Sequence, residues 1–439
     1  MSKKATVKKD SKKNIPGYTF VKSVSGIDEY ILKSNGLRVL YHHRPDTGTV
    51  TTNITYLVGA VDETLGESGI AHMLEHMLFK PTLADKEAKI KAGGAMQFER
   101  EIGCILNANT WKDRTTYYFS YPTEYLERAL KIEAQRMTGV ILDQKELTPE
   151  QNNVLSEFDM YNGDPYFALS VQMVSTAFLS HPYGHETIGY REDIEDYTPE
   201  RLQQFYTNYY RPDNAVMMVI GDVDYKTALA AVKKQFTGIV NPSTSIPRHH
   251  VREPKQEGTR RVSITRPSTT NLLSVGFKHE GLGTTEWLTT SVMLNVLTSG
   301  PESIFQKLLV DTGKVASIDS MQEPTRDTNL ATIHFALAEN QKHEDIETQV
   351  LETIRSLTTK DISNLIKKVK ANMLTDELFS RTSSMQIAQE LTEYTASGNW
   401  ENYTQTPDLL KEITPKMVIQ CLEKSFAPAN LTIGTFIGK

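Results

Sequence analysis

The sequence predicts an α+β fold of two homologous domains, each a β-sheet covered by helices. Three observations carry this. Runs rich in β-branched and aromatic residues alternate with segments of helical period. A helix–turn–strand unit near the middle of the chain returns at its C-terminal end. The chain has 439 residues, 39% hydrophobic and 23% charged, enough to bury more than one ordinary core.

The elements follow in order. MSKKATVKKDSKK, residues 1–13, holds six lysines and one aspartate and reads as a flexible basic tail spanning 1–15. It runs into Asn14, Pro16 and Gly17 where a secretory signal would turn apolar, and it lacks the arginines of a mitochondrial presequence. Thr51–Leu57 and Thr115–Tyr121 read as strands, and Gly69–Phe79, Thr148–Tyr161 and Thr198–Tyr209 as helices. Thr148-Pro149, Thr198-Pro199 and Thr414-Pro415 each set a capping hydroxyl before a proline at the first helical position. Gln151, three residues after Thr148, completes a capping box.

The repeat supports the second domain. TPERLQQFYTNYYRPDNAVMMVIG (Thr198 to Gly221) and TPKMVIQCLEKSFAPANLTIGTFIG (Thr414 to Gly438) each read as a capped helix, a turn with Pro and Asn, and a hydrophobic strand. Asn214 and Asn430 keep register at an offset of 216 residues, about half the chain. The expected organisation is therefore the tail 1–15, a first α+β domain over 16–240, a polar proline-bearing linker over 241–258, and a second domain over 259–439.

Composition excludes several classes. The net charge is −6, which argues against nucleic acid as the main partner. The longest aliphatic run, Ala215 to Ile220, is far short of the roughly 20 residues a bilayer needs. Two cysteines, Cys104 and Cys421, cannot make a disulfide framework and fit a reducing compartment. With neither a signal peptide nor a transmembrane segment seen, a cytoplasmic location is expected. There is no G-x-S-x-G elbow and no Walker sequence.

The chemistry sits in GIAHMLEHMLFK, Gly69 to Lys80, with His72, Glu75 and His76 in an H-x-x-E-H pattern. On a helix, residues four apart stand on one face a turn apart, so two imidazoles at that spacing can hold one zinc ion from the same side. Ile70, Leu74 and Met77 form the opposite stripe and are expected in the core. A zinc hydrolase needs a third protein ligand and an open position. Glu150 and Glu157, seven residues apart on the next strong helix, both qualify, against the alternative of a solvated acidic face. His42-His43, His249-His250, His181 and His185 read as loop, surface or packing histidines.

At this point the chain resembles the pitrilysin and insulinase family of inverted zinc peptidases, which includes mitochondrial processing peptidase. The likeness runs over nearly the whole chain after residue 25. It rests on LVGAVDETLGESGIAHMLEHMLFKPT (with Pro81 where the family has Gly), NANTWKDRTTY from Asn107 to Tyr117, the Glu150/Glu157 pair, HPYGHETIG and YYRPDNAVMMVIGDVD. The His76-to-Glu157 spacing is a few residues longer than the family's, an excess assigned to LADKEAKIKAGGAMQ before Phe98.

The resemblance implies the rest. The two domains would form one lobe of a clam-shell peptidase. His72, His76 and Glu157 would ligate one Zn2+ per chain, Glu75 would act as general base toward the zinc-activated water, and Glu150 would orient a ligand histidine or fix the helix pair. Asn107 and Ala108 would lie on an edge strand that pairs with the backbone of the peptide substrate, although Asn107 could also be a strand-end turn residue. The activity implied is a zinc endopeptidase acting on unfolded or short peptides in a closed two-lobe chamber, the alternative being a non-catalytic core subunit of a related complex. Family enzymes bring an Arg and a Tyr, seven residues apart, from the opposite lobe. Leu309 and Ala316 occupy those positions in ESIFQKLLVDTGKVAS, unless Arg326 or another residue substitutes. The partner expected is therefore a related subunit in a heterodimer, with a homodimer as the second choice.

Overall fold

The computed structural model describes residues 14–91 and 93–439, so residues 1–13 of the expected basic tail lie outside the described residues. By its internal contacts the chain divides into two units. One comprises Met1–Asn152, Asp193–Arg248 and Arg381–Thr392, the other Asn153–Glu192, His249–Ser380 and Glu393–Lys439.

The first unit carries β1 (Tyr18–Val24), β2 (Ile27–Leu32), β3 (Arg38–His43), β4 (Thr49–Tyr56), β5 (Ile105–Thr110), β6 (Thr115–Pro122) and β7 (Ala215–Gly221). Its sheet runs β1-β2-β3-β7-β4-β6-β5. AVMMVIG in β7 is buried at every residue, as a central strand covered on both faces must be. It lies parallel to β3 and antiparallel to β4. Among the described residues β5 closes one end of the sheet and pairs with β6 alone, with Ala108 opposite Tyr117. Asn53, Thr55 and Thr116 form a buried polar patch on one face, closed by Thr392 Oγ1, which accepts from Asn53 Nδ2 and shares a hydrogen bond with Thr55 Oγ1, both 3.1 Å.

The second unit carries β8 (Arg260–Arg266), β9 (Leu272–His279), β10 (Val315–Met321), β11 (Asn329–Leu337) and β12 (Leu431–Gly438), in the order β10-β11-β9-β12-β8. Leu273, Val275, Phe277, Ile333, Phe335 and Ile433 point from one face into a core with Val292, Leu297 and Leu309. The helix Pro165–Ala177 lies on the other face. Gly276 and Gly434 make room for it, since a Cβ at either would stand 2.9 Å and 2.5 Å from the side chain of Met173.

The duplication is written in the topology. The order β8-β12-β9-β11-β10 repeats β3-β7-β4-β6-β5 strand for strand. β12, like β7, has one parallel neighbour and one antiparallel. In each copy the turn asparagine closes on the end of the preceding helix: Asn214 Nδ2 donates to Tyr209 O at 2.9 Å and Asn430 Nδ2 to Ser425 O at 3.4 Å.

Two differences from the sequence reading have physical causes. The units are interleaved along the chain rather than consecutive. Residues 153–192 count with the second sheet because Pro165–Ala177 packs on β8, β9 and β12, and 381–392 count with the first because Thr392 closes its polar patch. The helix expected to start at Thr148 starts at Gln144 and runs to Asn162, with Pro149 inside it. Asp143 Oδ1 accepts from Glu146 N at 2.9 Å as the cap, and Thr148 Oγ1 donates back to Gln144 O. Pro149 deletes one backbone bond, toward the exposed Lys145, where water can replace it. Gln151 makes no capping box; its Nε2 donates to Ile194 O and Tyr197 O. The other two starts match the reading, with Thr198 and Thr414 accepting from Arg201 N and Met417 N. The inserted stretch before Phe98 forms short helices at Leu83–Glu87 and Gly94–Ile102.

Candidate metal centre

The motif helix spans Ile70–Met77. Gly69, at φ +87°, turns the chain into it through the left-handed region, which glycine enters without strain. The Glu63 carboxylate then accepts from two of its first backbone N–H groups, Gly69 at 2.8 Å and Ala71 at 3.0 Å. A carboxylate at this end also meets the positive pole of the helix dipole. Asp193 anchors the preceding residue, accepting from the N–H and hydroxyl of Ser68 at 3.0 and 2.5 Å. Ile70, Leu74 and Met77 are fully buried, as their stripe predicts. The helix is fixed at its start and along its apolar face, which holds its other face in place.

That face carries His72 and His76, whose rings meet edge to face with centroids 4.7 Å apart. Glu75 is buried and its Oε2 accepts a 2.6 Å hydrogen bond from the Thr110 hydroxyl at the end of β5. Beneath it, Tyr117 and Tyr210 hydroxyls lie 3.2 Å apart. Burial first, and the Glu75 charge among lesser causes, pushes both phenols up, so they remain neutral.

The helix Gln144–Asn162 brings the carboxylates. Glu150 Oε2 lies 3.3 Å from His76 Nδ1, and its Oε1 pairs with Lys80 Nζ at 2.5 Å. A carboxylate on Nδ1 favours the tautomer with its lone pair on Nε2. Two turns on, Glu157 stands on the same helical face; burial and the hydrogen-bonded Glu157 carboxylate push the Tyr161 phenol up.

His72, His76 and Glu157 each offer a ligand atom, and these atoms lie within 4.8 Å of one another. Among the described residues this is the group with metal-holding spacing. Ligand atoms on a tetrahedral zinc stand about 3.3 Å apart, so small side-chain rotations close the set. Two imidazoles and one carboxylate suit zinc, and three protein ligands leave the open position a catalytic site requires. The residues fit the ion.

Other expected residues lie elsewhere. Asn107 and Ala108 sit inside β5 rather than at its end, Asn107 exposed and Ala108 buried. His42 Nδ1 rests on Gly26 O, and His181 packs against Phe178 and Tyr183. Sequence reasoning missed Glu63, Lys80, Thr110 and Tyr161. Thr110 was visible as the threonine of the N-A-x-T block, with no role attached to it, and nothing local marks Glu63 as a cap.

A two-sheet α+β fold whose H-x-x-E-H helix meets a glutamate from a later helix has the form of an inverted zinc peptidase. The chain belongs to the insulinase family, peptidase family M16: its sequence model matches residues 38–190, and the model of the peptidase M16 inactive domain matches 196–373. A zinc protease of Helicobacter pylori, PqqE, is 28% identical over 383 residues, covering 86% of this chain and 85% of that protein. The fold matches the crystal structure of a protease from Helicobacter pylori with a TM-score of 0.85 at 24% identity, over 97% of this chain and 100% of that one. It also matches the periplasmic protease PqqL of Escherichia coli with a TM-score of 0.75 at 16% identity, over 96% of this chain but 48% of that chain. No helix among the described residues is long and apolar enough to cross a membrane.

Proposed function

We propose that this protein is a zinc-dependent endopeptidase that cleaves unfolded or short peptides. The observation that carries the reading is the convergence of His72, His76 and Glu157, with Glu75 one residue from His76 on the same helix. One Zn2+ per chain would be held by those three side chains, and when bound it supplies Lewis acidity toward the scissile carbonyl and toward water.

The chain's own residues do the rest. The free edge of β5 at Asn107 and Ala108 receives the substrate backbone as an added strand, which selects extended peptide over folded protein. Glu75 takes a proton from the attacking water as its oxygen bonds to the carbonyl carbon. It then delivers that proton to the amide nitrogen as the C–N bond breaks. Glu150 holds His76 in the tautomer that ligates, and Lys80 holds Glu150.

The chain supplies one half of the machinery in this reading. At the positions where the family's opposite lobe carries its Arg and Tyr, Leu309 is fully buried in the core of the second unit and Ala316 is exposed on β10. The PqqL chain is about twice as long as the part matched, consistent with a second half supplied here by another chain. A related subunit in a heterodimer is the partner proposed, ahead of a homodimer. The cytoplasm is the compartment proposed, on the low cysteine count of the sequence. Metal analysis with a quenched-peptide assay on the chain together with the related subunit tests the activity: bound zinc with turnover is the expected result, zinc without turnover even with that subunit would leave only a structural metal, and neither would leave a non-catalytic subunit.

A further inference from the structure

The substrate strand and the proposed base meet at one residue that the family likeness does not assign. Thr110 ends β5, the strand whose edge is open, and its backbone is fixed by pairing with Thr115. Its side chain turns inward, 8% exposed, and its hydroxyl donates to Glu75 Oε2 at 2.6 Å. That length falls in the range of a charge-assisted O–H···O⁻ bond, the strong class. The motif helix packs on β5, so the bond joins two elements already in contact.

The partner choice has a consequence for Glu75. A glutamate side chain has three rotatable bonds and a general base must stand within hydrogen-bond reach of its proton. The backbone of the motif helix fixes the Cα of Glu75, and the hydroxyl fixes the other end. Valine at 110 would fill the same space with no donor, so packing and positioning can be separated.

We propose that Thr110 is a positioning residue for Glu75: its hydroxyl holds the carboxylate in its working orientation and ties it to the strand that docks the substrate. The proposal rests on the peptidase reading, with Glu75 as base. Because Asn107 and Ala108 lie two or three residues from Thr110 on the same strand, a peptide seated on the β5 edge is aligned to the base by one rigid element.

The test uses the full-length, zinc-loaded chain with its partner, comparing Thr110→Val, Thr110→Ser and wild type. Thr110→Val should lower kcat about tenfold or more, with zinc content and melting temperature close to wild type and KM within about twofold, since the β5 edge itself is unchanged. Thr110→Ser restores the donor and should recover most of kcat. In the Glu75→Gln background, Thr110→Val should add no further loss. Crystal structures of the two variants give a readout that needs no turnover: the Glu75 carboxylate should leave its place in Thr110→Val and keep it in Thr110→Ser. An unmoved Glu75 in Thr110→Val, wild-type kcat in that variant, or a serine variant no better than the valine one would overturn the proposal. If wild type itself cleaves nothing, the peptidase reading fails, and the position of Glu75 in the two crystals still decides whether Thr110 holds it.

Discussion

Nδ1 of His76 stands 3.3 Å from Oε2 of Glu150, and Lys80 holds the other oxygen of that carboxylate at 2.5 Å. This places Glu150 behind His76, while Glu157, two turns along the same helix, joins His72 and His76 in the group whose spacing could hold a metal ion. Two glutamates on one helical face thus have different surroundings: Glu150 meets His76 Nδ1, and Glu157 stands with the ligand-capable atoms of His72 and His76.

The pair separates by mutation. Glu157→Ala should release zinc or weaken it greatly, since two imidazoles alone make a poor site. Glu150→Ala should weaken zinc by about 10–100-fold, the loss expected when a ligand's supporting carboxylate is removed. Zinc titration of both variants checks this, and the reverse order would exchange the two assignments.

Glu75→Gln replaces a base with an amide of the same shape. Zinc content should stay at the wild-type level, while turnover falls by at least about 10²–10⁴-fold. Metal analysis and a peptide assay on one preparation read both quantities, and near-normal turnover would remove Glu75 from its role.

Assembly gives a third expectation. The purified chain alone should bind zinc yet turn over peptide poorly, and activity should rise on adding a related chain that carries the Arg/Tyr segment. Sizing by light scattering with the assay alongside tests it. Full activity from the homogeneous chain would replace the heterodimer with a monomer or homodimer.

The fourth concerns acid stability. Glu253 accepts from the N–H groups of Leu179, Ser180 and His181 at 2.9, 3.0 and 3.2 Å and pairs with Lys278 at 3.2 Å. Burial pushes its pKa up, but the three N–H bonds and Lys278 together outweigh burial and hold it at about 2, below the ordinary 4.5. The folded state thus favours the ionised form. Its stabilisation is complete above pH 4.5 and is lost as pH falls through that window toward 2. Glu253→Gln should therefore melt a few degrees below wild type at pH 7, with the gap closing as the buffer is taken from pH 4.5 down to pH 3. Thermal melts by circular dichroism measure it, and a gap independent of pH would contradict the account.

The sequence alone determined what local periodicity encodes. The four-residue spacing of His72 and His76 fixes both on one helical face, and Ile70, Leu74 and Met77 bury the other. The seven-residue spacing of Glu150 and Glu157 likewise puts both on one face, and the Thr-Pro pairs at 198 and 414 mark two true helix starts. The repeat around Asn214 and Asn430 announced the second sheet, whose strand order copies the first. Only the tertiary structure decided which distant groups meet. Glu63 capping the motif helix, Thr110 on Glu75 and Thr392 on Asn53 are contacts between segments whose own sequences carry no mark of the partner. The interleaving of the two units has the same origin: a helix goes to whichever sheet face offers matching space. Gly276 and Gly434 offered that space to Met173, and nothing within Pro165–Ala177 could have said so.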